Sequence, residues 1–198
     1  MSATVPSLWL ARHGETAWTL SRQHTGRTDL PLTAAGEASA RDELAPKLAG
    51  VSFDLVLSSP LRRALDTARA AGFPDPQVDE RLREFDYGDY EGLTTAEIQR
   101  DRPDWDLWTD GCPGGESPAD VGARADRVLS WVLAGPGNVL LFSSGHFLRV
   151  LAARWVGLDP AGGRYLLLST ASLSAVGYEH NRSEPVVRFW NDTRHVSP

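Results

Sequence analysis

The sequence predicts a single α/β domain over residues 1–198, a three-layer sandwich on a largely parallel sheet. Three observations carry this expectation. Short apolar runs alternate with stretches whose apolar residues recur at helical spacing. Three of the predicted strands run out into loops that carry His or Arg. A chain of 198 residues, 41% hydrophobic and 23% charged, fills one core better than two.

The elements follow in order. Leu8-Trp9-Leu10-Ala11 reads as a buried strand ending at Arg12-His13-Gly14. Thr33 caps a helix that carries Ala40, Leu44 and Leu48 on one face. Residues 53–57 form the second strand, and Ser59-Pro60 is a helix start with Ser at the cap, which places Arg62 in the first turn. Residues 75–115 are irregular and rich in Pro, Gly, Asp and Trp, and are expected to be an insertion covering the sheet and the active site. Ser117-Pro118 opens a helix with the stripe Val121, Ala125, Val128, Leu129 and Val132. Residues 139–142 form the next buried strand, which ends at Ser144-Gly145-His146 and leads into a helix bearing Leu148, Leu151, Ala152 and Trp155. Residues 172–178 and 186–190 close the sheet.

Composition narrows the function. A net charge of -6 argues against a nucleic-acid partner, which calls for a basic face. The single cysteine, Cys112, rules out a disulfide framework and a multi-thiolate zinc site, and it reads as a spectator thiol. The N-terminus lacks the pattern of a signal peptide, and no apolar run reaches the roughly 18 residues of a membrane span. A cytoplasmic protein without a membrane partner is expected; a homo-oligomer is left open.

Four short motifs carry chemistry. In Arg12-His13-Gly14-Glu15-Thr16, Arg12 offers a planar fork suited to phosphate, and Gly14 removes a side chain where a substrate would approach. A lone strand-end histidine can equally be a satisfied structural residue. In Ser58-Ser59-Pro60-Leu61-Arg62-Arg63, free N–H groups of a helix start lie beside Arg62, while Arg63 reads as a solvated charge. The run from Arg83 to Glu91 is crowded with acids, one of which can serve as a general acid; spacing alone does not select Glu84. In Ser144-Gly145-His146-Phe147-Leu148-Arg149, His146 and Arg149 stand three apart on one helical face. Histidines and arginines thus converge on the edge where such sheets bind ligands, which favours a phosphate-handling site. There is no Walker loop and no Asp/His cluster with metal spacing, so neither a metal nor another cofactor is expected.

At these residues the chain resembles the histidine phosphatase (phosphoglycerate mutase-like) superfamily. The likeness runs through Arg12-His13-Gly14-Glu15-Thr16, the stretch from Gly26 to Gly36, Ser58-Ser59-Pro60-Leu61-Arg62-Arg63-Ala64, Glu84 with Tyr87-Gly88-Asp89-Tyr90-Glu91-Gly92, and Gly145-His146. It implies a phosphatase in which His13 attacks phosphorus and carries a phosphohistidine. Arg12, Arg62 and His146 would bind the phosphoryl oxygens, and Glu84 would act as acid and then base. Thr25 and the Gly26 backbone would line the phosphate pocket, and Thr19 stands where most members have Asn. Arg27, Phe147 and Arg149 complete the expected substrate contacts, with Arg149 or Arg27 as a second anion site.

Phosphoglycerate mutases of this family usually place Arg-His after the acid and add paired arginines for the substrate carboxylate. Here Phe85 and Asp86 follow Glu84, which favours hydrolysis of a small phosphorylated metabolite, a sugar phosphate or bisphosphate, over isomerisation. Gln23-His24-Thr25-Gly26-Arg27-Thr28-Asp29, Trp108-Thr109-Asp110-Gly111-Cys112 and Leu168-Ser169-Thr170-Ala171-Ser172 are similar to the branch containing sedoheptulose-1,7-bisphosphatase and broad-range acid phosphatases. The alternatives are a cofactor-dependent phosphoglycerate mutase and a catalytically silent interaction module. The latter usually lacks one of the core His, Arg or Glu residues, all of which this chain has.

Overall fold

The computed structural model describes residues 6–135 and 137–193. The chain begins with β1 (Ser7–Arg12) and a short helix α1 (Ala17–Ser21). Next come α2 (Ala34–Ser39), a π turn (Ala40–Leu44) and α3 (Ala45–Leu48), then β2 (Leu55–Ser58), α4 (Arg62–Ala70) and β3 (Gln77–Val78). Two short helices, α5 (Thr95–Asp101) and α6 (Leu107–Asp110), precede the long α7 (Pro118–Ala134). The chain then runs through β4 (Asn138–Ser143), α8 (Gly145–Trp155), β5 (Leu173–Tyr178) and β6 (Pro185–Asp192).

The six strands form one sheet in the order β3-β2-β4-β1-β5-β6. The first four are mutually parallel, and β5 and β6 are antiparallel to their neighbours, so the sheet is mixed but mostly parallel. Strand alternation divides the core into two faces. Leu8, Leu10, Val139 and Leu141 pack with Val121, Val128, Leu148 and Leu151 of α7 and α8. Ala11, Leu140 and Phe142 pack on the other face with Leu44, Leu48, Ala64 and Ala68. This gives the three layers of a single-domain α/β fold.

Local chemistry sets the helix boundaries. Ser117 caps α7 by accepting from the Asp120 N–H, and Asp120 returns the bond to Ser117 N at 2.9 Å, so both orphan donors are satisfied. All five stripe residues of α7 are buried. Ala40, Leu44 and Leu48 do share a buried face, but through the π turn. A π turn winds more residues into each turn, which keeps a four-residue spacing aligned where a regular helix would drift.

Two expectations change. The helix after β2 is capped at Leu61, without a side-chain cap bond; Ser59 instead extends the strand end, its N–H donating to the Phe142 carbonyl at 2.9 Å. Residues 75–115 are also more than a cover, because β3 within them pairs in parallel with β2 and forms one edge of the sheet. Among the described residues no helix is long and apolar enough to cross a membrane.

Candidate active site

The strand registers set the site. Arg12 pairs with Ser143 across β1 and β4, and Ser58 pairs with Phe142 across β2 and β4, so three parallel strands end at nearly one level. A cavity of about 250 Å³ opens at that C-terminal edge, and its walls include Arg12, His13, Glu84, His146 and Arg149.

His13 is buried. Its main chain is held on both sides, with its N–H donating to the Ser143 carbonyl at 2.9 Å and its carbonyl accepting from Ala171 N at 3.0 Å. The ring Nδ1 stands 2.7 Å from the Gly14 carbonyl, which can only accept, so Nδ1 carries the proton and Nε2 carries the lone pair. Burial, reinforced by the charges of Arg63 and Arg12, holds the imidazole well below the usual histidine range. His13 is therefore a neutral ring with Nε2 unprotonated at neutral pH. Gly14 is required for a different reason from the expected one. A Cβ there would lie 2.5 Å from the Gly36 carbonyl oxygen, so the missing side chain admits the backbone at the start of α2.

The arginines depart from the sequence reading. Arg62 is exposed, its side chain 60% accessible; it faces Asp66 and is not part of the cavity wall. Arg63 is the buried one. Its guanidinium donates to the carbonyls of Thr25, Gly26 and Thr28 at 2.9–3.0 Å, and its charge acts on His13. The expectation that Arg63 is a solvated charge is thus overturned: Arg63 is buried and Arg62 is the exposed one, and neither side chain lines the cavity. Consecutive residues in the first turn of a helix point about 100° apart, following 3.6 residues per turn, and here the second one faces inward. Arg12 is fixed by donation to the Leu168 carbonyl. Among the described residues, three buried side-chain polar atoms lack a hydrogen-bond partner: Arg12 Nε, Arg63 Nε and Ser144 Oγ. All three belong to the segments that converge on His13, where they are open to a water or an anion.

Glu84 and His146 meet at the start of α8. The Glu84 carboxylate accepts from Phe85 N (2.8 Å) and Phe147 N (2.7 Å) at Oε1, and from His146 N (3.0 Å) at Oε2. Two of these donors are free N–H groups of the helix N-terminus. The His146 ring is held by Tyr87, whose Oη is 2.6 Å from Nδ1, and by edge-on packing against Trp108 at 5.3 Å. Burial lowers His146 well below the usual range, aided by Arg149 and His24.

The remaining predicted contacts separate into two groups. Thr19, Thr25 and Arg149 line the cavity. Thr19 already uses its hydroxyl in the capping box of α1, donating to the Thr16 carbonyl at 2.8 Å. Arg149 stacks on Trp108 and donates to the carbonyls of Gly163 and Arg164. Gly26, Arg27 and Phe147 do not line it. The Gly26 N–H donates to Glu91, so its backbone is not directed at a phosphate. Arg27 is exposed and pairs with Asp86 at 2.6 Å. Phe147 is fully buried beneath the Arg124 guanidinium and contributes through its N–H alone. Tertiary folding also brings in residues to which no role had been given: Trp18, Arg22, His24 and Tyr87. Cys112 is a buried thiol that burial pushes up to about 12, which fits a spectator.

The model of the histidine phosphatase superfamily (branch 1) matches residues 8–193. An acid phosphatase of Mycobacterium tuberculosis is 46% identical over 178 residues, spanning 87% of each chain. The sedoheptulose 1,7-bisphosphatase of Saccharomyces cerevisiae is 34% identical, spanning 80% of this chain and 70% of that one. The solved structure of a Mycobacterium tuberculosis open reading frame product superposes with a TM-score of 0.87 at 43% identity, covering 93% of this chain and 96% of the other. With the strand-end histidine and its arginines in place and the match running nearly end to end, the chain belongs to the histidine phosphatase superfamily and is a phosphatase.

Proposed function

We propose that the protein hydrolyses small phosphate monoesters, sugar phosphates or bisphosphates, through a phosphohistidine at His13. The observation that carries this reading is the state of His13: Nδ1 tied to the Gly14 carbonyl, Nε2 unprotonated, and the unpartnered buried Nε donors of Arg12 and Arg63 on the adjoining segments. Nε2 attacks phosphorus and forms the N–P bond as the ester P–O bond breaks. Glu84, in its acid form, gives its proton to the departing oxygen. Water then attacks the phosphohistidine and passes a proton to Glu84, and inorganic phosphate leaves. Arg12, Arg63 and His146 offset the charge that builds on the phosphoryl oxygens, so the scheme needs no metal.

The substrate class rests on the relatives, an acid phosphatase and a sugar bisphosphatase, and on the residues after Glu84. Phe85 and Asp86 supply no cation for a phosphoglycerate carboxylate. A small phosphorylated metabolite as partner and a cytoplasmic location belong to the same reading. The test is phosphate release across a panel of sugar monophosphates, sugar bisphosphates and 3-phosphoglycerate in the presence of a chelator, with label on His13 trapped by denaturation at alkaline pH, where a phosphohistidine survives. Label on His13 and net phosphate release are expected. Interconversion of phosphoglycerates without net release would establish a mutase instead.

A further inference from the structure

Beside the phosphoryl cavity lies a second hollow of about 440 Å³, and the two share His24 and His146 as a common wall. A leaving group as large as a sugar, on an ester attacked at His13, extends beyond the first cavity, and this hollow adjoins it across those two side chains. Its inner surface is aromatic. Trp105 is buried, with its indole N–H committed to the Gly111 carbonyl, and it meets His24 edge-on at 5.6 Å. Trp108 holds the same relation to His146. Its rim is polar. Gln99 donates through Nε2 to the Trp105 carbonyl at 3.0 Å, which leaves Oε1 as an acceptor, and the Thr95 hydroxyl stands 3.3 Å from His24 Nε2. Asp106 is paired with Arg164, whereas Asp104 has no hydrogen bond or ion pair among the described residues.

Aromatic faces interleaved with hydrogen-bonding side chains suit a ligand that has apolar C–H faces and a fringe of hydroxyls. The carboxylate of Asp104 accepts hydrogen bonds from hydroxyls and repels a phosphate dianion. We propose that this hollow is the leaving-group subsite and takes an uncharged, polyhydroxylated group, the sugar end of a sugar monophosphate, with Asp104 turning away a second phosphate. The assignment rests on the phosphohistidine mechanism above and narrows its substrate class.

The experiment compares kcat/KM for a hexose 6-phosphate, the corresponding hexose 1,6-bisphosphate and methyl phosphate, which is too short to leave the first cavity. It uses the full chain and the variants Gln99→Leu and Asp104→Lys, both at exposed positions where folding is not at stake. Gln99→Leu is expected to lower kcat/KM for the hexose 6-phosphate roughly tenfold more than for methyl phosphate, the effect of one lost hydrogen bond to the ligand. Asp104→Lys is expected to raise the bisphosphate-to-monophosphate ratio about tenfold, as like charge is replaced by opposite charge. Ratios unmoved by either substitution, with label still trapped on His13, would overturn the subsite and leave the mechanism standing. No turnover of any ester and no label on His13 would overturn both.

Discussion

Tyr87 Oη lies 2.6 Å from His146 Nδ1, which leaves Nε2 as the ring nitrogen without a hydrogen-bond partner among the described residues. Burial, with the charge of Glu84, raises Tyr87 well above the usual phenol range, so the hydroxyl keeps its proton and is able to donate it to Nδ1. With Tyr87 as the donor, His146 carries its own proton on Nε2 and is a neutral donor there. Tyr87 is a positioning residue. Tyr87→Phe frees Nδ1, allows the other tautomer, and is expected to lower kcat about tenfold with KM little changed, the effect of roughly 1.4 kcal/mol. The check is steady-state kinetics together with nitrogen NMR of the His146 ring. An unchanged tautomer and unchanged kcat would remove Tyr87 from the mechanism.

The two adjacent arginines are expected to behave oppositely. Arg63 holds three carbonyls of the loop 25–28, while Glu91 holds the N–H groups of Gly26 and Thr28, so the loop is clamped from both sides. Arg63→Lys keeps the charge but loses the planar fork, and a loss of about 10²-fold or more in kcat/KM is expected. Arg62→Ala, at an exposed side chain paired with Asp66 at 3.9 Å, is expected to stay within about twofold. Phosphate release and thermal melting of both variants check this; equal losses in the two would refute the assignment.

Much of this site could be read from strand ends. Arg12-His13-Gly14 and Gly145-His146 follow directly from apolar runs, and the parallel register of β1 and β4 brings them together without further information. What stayed hidden depends on orientation or distant contacts. Whether Arg62 or Arg63 turns inward depends on the helix starting at Leu61 and not at Ser59, a shift too small for local pattern to resolve. His24 enters the cavity because its N–H is pinned to the Leu93 carbonyl, and Tyr87 because its ring packs against both His24 and His146; both are long-range facts. Strand β3 has two residues, fewer than any alternation can reveal.

Acid is expected to act on stability before it acts on the nucleophile. Burial lowers His24 to about 4, and His13 and His146 are also lowered by burial. A histidine whose folded pKa lies below its unfolded value, about 6.5, binds more protons when unfolded. Its contribution is therefore fully present above 6.5 and is lost as pH falls towards the folded value. Melting temperature should decline from pH 6.5 towards 4, and His24→Gln should flatten that slope. Over the same window kcat/KM should show no acid limb from His13 near 6.5, because the ring is already neutral there. A limb at the unperturbed histidine value would show that the nucleophile is not held down as the fold implies.

Two glycines of the site separate folding from chemistry. A Cβ at Gly14 would lie 2.5 Å from the backbone oxygen of Gly36; the strand end cannot retreat without breaking the bond from Gly14 N to Thr67 at 2.9 Å, and the start of α2 is tied to it by Thr33 N donating to the Glu15 carbonyl at 2.9 Å. Gly14→Ala should therefore destabilise by about 1–3 kcal/mol, the usual effect of overpacking. At roughly 2–4 °C per kcal/mol for a chain of this size, a lower melting temperature is expected. At Gly145 a Cβ meets the guanidinium of Arg12 at 3.2 Å, the end of a side chain that can swing by a few tenths of an ångström. Gly145→Ala should leave the melting temperature within about 2 °C and lower kcat/KM by about tenfold, since a small displacement of a phosphoryl-binding group is costly to rate. Differential scanning calorimetry alongside phosphate release distinguishes the two. If Gly145→Ala lowered stability as much as Gly14→Ala, Gly145 would serve packing at the start of α8 and not the placement of Arg12.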